Sequence, residues 1–113
     1  MTEREGITMS TIHYNKLVRD RIPEIIEASG KRCICATLSD EEYLAKLDEK
    51  LNEELAEYQE SKSMEELADL LEVIWAVIAA RGSSIEEVEA LRRDKAAKRG
   101  GFEKRILLTK VIG

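Results

Sequence analysis

A chain of 113 residues is long enough for one domain with a modest core and too short for two that fold independently. Charged residues make up 36% and aromatics 4%, a balance that suits helices with solvated faces and argues against a β-sandwich. The formal net charge of −5 argues against nonspecific nucleic-acid binding as a main role, because that needs a cationic footprint.

Residues 1–12 mix charge and polarity with no apolar h-region, and read as a flexible tail rather than a signal peptide, with 13–113 as a single helical domain. The first helix is expected around Arg21 to Ser29, with Pro23 in its opening turn and Gly30 at its exit. Next comes Arg32 to Leu38, short and β-prone, which is expected to pair with the similar tail Arg105 to Ile112 as a two-stranded ribbon. Cys33 and Cys35 lie in the first of these strands and read as two small apolar residues, the other reading being a redox pair or metal clip. With His13 as the one histidine, they fall short of a structural zinc site.

Ser39-Asp40-Glu41-Glu42 is a capping box that opens a second helix running to about Glu60. Ser63-x-x-Glu66 opens a third helix, closed by Gly82, and Ser84-x-x-Glu87 opens a fourth, ended by Gly100. The short links between them predict antiparallel neighbours. Glu66, Asp69 and Glu72 punctuate the most hydrophobic segment, so no uncharged run reaches the length of a membrane span. A cytoplasmic protein with no membrane partner is expected.

The second and third helices carry the chemistry. Glu54-x-x-Glu57 near the end of one faces Glu66-x-x-Asp69 at the start of the next, and carboxylates three apart share a side of a helix. Four such groups repel one another unless a hard divalent cation sits between them. On the second helix Leu44, Leu47, Leu51, Leu55 and Tyr58 form the expected core stripe, with Glu54 and Glu57 on its flank and Glu53 nearly opposite, a secondary candidate. On the third, Leu67, Leu71, Ile74 and Ile78 form the expected stripe and Asp69 faces away. That outer face continues as Val73, Ala76, Val77 and Ala80, too apolar to be simply solvated, so a helix or second subunit is expected over it. Glu66 also has an ordinary reading as the capping partner of Ser63.

The fourth helix holds Arg92, Arg93, Lys95, Lys98 and Arg99, and Lys16 and Arg19 lie near the start. Lys95 and Arg99 are i and i+4 and can reach one polyanion, although a solvated cationic helix end is the plainer account. A recognition helix over Arg81 to Arg99 is opposed by Glu86, Glu87 and Glu89, which repel a phosphate backbone.

Three blocks, Tyr14 to Ile26 (YNKLVRDRIPEII), Glu54 to Leu71 and Lys98 to Ile106 (KRGGFEKRI), together resemble the MazG-like all-α nucleoside triphosphate pyrophosphohydrolases, in particular their phosphoribosyl-ATP pyrophosphohydrolase-like branch. The resemblance implies a four-helix bundle and Mg²⁺-dependent, or Mn²⁺-dependent, cleavage between the α- and β-phosphates of a nucleotide. It implies metal ligation by Glu54, Glu57, Glu66 and Asp69; on general acid–base grounds Glu54 or Glu57, whichever the metal does not fully engage, is expected to accept the proton of the attacking water. Phosphate contacts from Lys95, Arg99, Lys16 and Arg19, and a homodimer or larger assembly, are further implications. Eight residues separate Glu57 from Glu66, fewer than is usual in that family, so the helices must turn sooner. A catalytically silent module that oligomerises or senses a nucleotide is the alternative.

Overall fold

In the computed structural model, which describes residues 11–113, four helices account for the regular structure of those residues: α1 (Ile22–Ala28), α2 (Asp40–Ser61), α3 (Met64–Ala80) and α4 (Ile85–Arg99). Most of the expected N-terminal tail, residues 1–10, lies outside the described residues. No described helix is long and apolar enough to cross a membrane.

The helix starts follow side-chain chemistry. The Ser39 hydroxyl accepts from the Glu42 backbone N–H at 3.2 Å while Glu42 Oε1 accepts from Ser39 N–H at 3.0 Å, so two orphan donors at the head of α2 are satisfied reciprocally. Those bonds hold the Glu42 carboxyl below its ordinary range. Ser84 and Glu87 repeat the device at α4. Pro23 occupies the first turn of α1, where its missing N–H costs nothing.

The stop of α3 is a two-bond reversal, with Ser83 N–H donating to the Ile78 carbonyl and Gly82 N–H to that of Ala79, both at 3.0 Å. It needs a left-handed residue, and Gly82 supplies φ +86°.

The described residues divide into two compact units, one reaching Lys50 and the other spanning Leu51–Gly113. In the first, Lys46 Nζ donates to the Asn15 carbonyl at 3.2 Å and ties the segment before α1 to α2. Leu47 is its buried apolar anchor, 2% exposed. In the second, the buried residues are Val73, 9% exposed, and Glu54, 6% exposed.

Two expectations are corrected. The four helices are present, but the β-ribbon is not: neither 32–38 nor 105–112 forms a strand, and no strand occurs among the described residues. A two-stranded ribbon is marginal without a surface to pack on, and here Ile34, Ile106, Leu107, Leu108, Val111 and Ile112 are all exposed, so no burial offsets the entropy of ordering them. The second correction concerns α3. Its buried residue is Val73, on the outer face expected to be covered, while Leu67, Ile74 and Ile78 of the expected core stripe are half-buried and Leu71 is exposed.

A Cβ on Gly82 would meet no atom, so Gly82→Ala tests backbone conformation alone. Unfolding in urea should show a loss of about 1–2 kcal/mol with an unchanged slope; an unaltered midpoint would rule out a left-handed requirement there.

Candidate metal centre

Only Lys62 and Ser63 separate α2 from α3. Lys62 takes φ +58°, an uncommon conformation for a residue with a Cβ, and its N–H donates to the Tyr58 carbonyl at 2.7 Å. The chain therefore doubles back at once, and residues one to two turns from each helix end come together. Glu54 of α2 meets Glu66 and Asp69 of α3, with one carboxylate oxygen from each within 4.8 Å of the others. Glu53, Glu54 and Glu57 make a second such group on α2, sharing Glu54.

Burial sharpens the arrangement. Glu54 is buried, Glu53, Glu66 and Asp69 are half-buried, and Glu57 is exposed at the rim. Desolvation first, then a hydrogen bond with Glu57, then the charges of Glu57, Asp69 and Glu54 push the Glu66 carboxyl above its ordinary value. Among the described residues, Glu66 Oε2 is buried with no hydrogen-bond partner. An orphaned buried oxygen amid all-oxygen hard donors fits a hard divalent cation.

The capping reading of Glu66 is only half met. Ser63 Oγ accepts from the Glu66 backbone N–H at 3.3 Å, but the Ser63 N–H donates to Ser61 Oγ at 3.2 Å. The Ser39 and Ser84 amides instead bond the glutamate three residues on. The Glu66 carboxyl is thereby released from the helix end and turned to the cluster.

All four predicted ligands, Glu54, Glu57, Glu66 and Asp69, thus fall in one neighbourhood. The helical wheel misplaced one residue: Glu53 joins Glu54 and Glu57 instead of being solvated opposite them. The adjacent pair Glu53-Glu54 was the available signal, since a long side chain spans the angle between neighbouring positions. Of the cations on α4, Arg92 pairs with Glu89 at 2.6 Å and Lys98 with Asp94 at 3.1 Å, while Lys95 and Arg99 are exposed. Lys16 and Arg19 are exposed in the first unit and are engaged in interactions of their own.

No family model and no solved structure matches the chain. It is similar to an uncharacterized protein of Mycolicibacterium smegmatis (strain ATCC 700084 / mc(2)155), 64% identical over 42 residues that cover 37% of this chain and 43% of that protein. The match thus spans less than half the length of that curated relative. The helical architecture agrees with an all-α superfamily, and its acidic clusters with a metal-binding site of hydrolase type.

The Glu66 shift sets the sign of a stability experiment. Its carboxyl binds a proton more tightly folded than unfolded, so its contribution is full below the ordinary carboxylate range and declines as pH rises through the raised value. Glu42 and Glu89 are held low and act oppositely, losing stability as pH falls. Glu66→Gln should accordingly melt higher than the parent near neutral pH without divalent cation, and lose the rise of a few degrees that millimolar Mg²⁺ gives the parent. Equal melting of the two proteins at pH 4 and pH 7, with and without Mg²⁺, would contradict this.

Proposed function

We propose that this chain is a Mg²⁺-dependent nucleotide pyrophosphohydrolase that cleaves between the α- and β-phosphates of a nucleoside triphosphate or related nucleotide, releasing a monophosphate and pyrophosphate. The observation that carries the reading is Glu54, 6% exposed, with its carboxylate beside those of Glu66 and Asp69. One buried and two half-buried carboxylates that converge on one point offer the all-oxygen donor set a hard divalent cation takes. The three-block resemblance to the MazG-like enzymes supports the choice of phosphoanhydride chemistry.

Glu54, Glu66 and Asp69 are the residues that would hold the cation, with Glu53 and Glu57 alongside. When bound, Mg²⁺ (or Mn²⁺ in its place) offsets charge on phosphate oxygens and acidifies water. Glu57, exposed beside the cluster, is the group that accepts the proton of the attacking water at its carboxylate. Lys95 and Arg99, one helical turn apart, neutralise the outgoing pyrophosphate. The protein acts in the cytoplasm as a homodimer or larger assembly. Leu55, Leu71 and Trp75, each more than two-fifths exposed, supply apolar surface for a second copy.

Pyrophosphate release measured over a panel of nucleoside triphosphates with Mg²⁺ or Mn²⁺ should show turnover that falls by at least about 10²-fold in Asp69→Asn and Glu57→Gln, with helical circular dichroism retained. Nucleotide binding by calorimetry with no pyrophosphate from any substrate would replace the enzyme with a catalytically silent sensing module.

A further inference from the structure

Between α1 and α2, residues 31–39 have no regular structure and carry both cysteines. Cys35 is exposed and its S–H donates to Cys33 Sγ across 4.0 Å. Cys33 is half-buried and its own S–H donates to the Pro23 carbonyl in the first turn of α1, at 3.8 Å. Ile34, the residue between them, is 98% exposed, so rotating its backbone disturbs no packed side chain. We infer that Cys33 and Cys35 form a reversible dithiol–disulfide couple, driven by low-molecular-weight disulfides, that sets how the 31–39 segment is tied to α1.

A disulfide needs the sulfurs at about 2.05 Å, and the pair already stands in hydrogen-bond contact at 4.0 Å in a segment free of helix or strand constraints. The exposed Cys35 is the point of attack. Its thiolate displaces one thiol from a small disulfide, RSSR, forming a mixed disulfide and expelling RS⁻, which takes up a proton. Cys33 then loses its proton to water and attacks the Cys35 sulfur, the second RS⁻ leaves, and the S–S bond closes. Two protein thiols are oxidised, and RSSR is reduced to two RSH. Burial, with the neighbouring Cys35, pushes the Cys33 thiol above its ordinary value, which suits it to the second, intramolecular step rather than the first. Oxidation removes the S–H that Cys33 gives to Pro23, so that hydrogen bond between segment and helix exists in the reduced state alone.

The full chain, equilibrated in glutathione buffers of stepped oxidised-to-reduced ratio, quenched with acid and treated with N-ethylmaleimide, is read by intact mass. A monomer lighter by two hydrogens and carrying no maleimide should grow in as a single two-electron transition. Cys33→Ser and Cys35→Ser should each stop at a glutathione mixed disulfide. The inference is overturned if the parent chain stops at a glutathionylated form, links to a second chain, or keeps both thiols open to maleimide at every ratio.

Discussion

The second unit is organised by a repulsion. The two-residue link turns the chain sharply at Lys62 and sets carboxylates of α2 against carboxylates of α3. A longer link would let the acids drift apart into water, where each is well solvated and screened from the others. The short link removes that escape. The left-handed backbone at Lys62 and the partnerless oxygen of Glu66 are two costs of the same geometry, and costs of this kind gather where function is placed.

Serine caps make the exchange visible in chemical detail. Three helices start with Ser-x-x-Glu, and at α2 and α4 the glutamate returns to bond the serine amide. At α3 the amide is satisfied by Ser61 from the end of the preceding helix, possible only because that end is two residues away. The tight turn thus both builds the cluster and frees one of its members. The helix start stays capped through Ser63 Oγ, so freeing the Glu66 carboxyl leaves the cap itself intact.

How much of this was legible follows from how local each feature is. Ser39, Ser84, Gly82 and Gly100 act within a few residues of themselves, and the helix bounds they mark agree with the structure to within about two residues. The choice of Glu54, Glu57, Glu66 and Asp69 was legible for the same reason, since spacing and a short link suffice to bring them near one another. Which stripe of α3 is buried deeper was not. α3 is apolar nearly all round, so periodicity offers two stripes, and the one through Leu71 is more continuous than the one through Val73. Which is buried depends on the partner surface. The ribbon failed on the same ground: 32–38 and 105–112 have strand composition, but pairing is a non-local event and no helix face covers their side chains.

Helix dipoles locate the remaining electrostatic deficit. The start of α3 is its positive end, and Glu65 and Glu66 sit there favourably. The end of α2 is a negative pole with no basic residue in its last turn, and Glu57 and Glu60 lie close to it. Lys62, in the turn itself, places its ammonium over the Tyr58 ring, 5.6 Å from the centroid. The dipole and the carboxylates of α2 therefore add in one direction, opposite to the positive end of α3. A divalent cation among those side chains answers the dipole and the carboxylates at once, and the same positive charge is what a polyphosphate needs beside it.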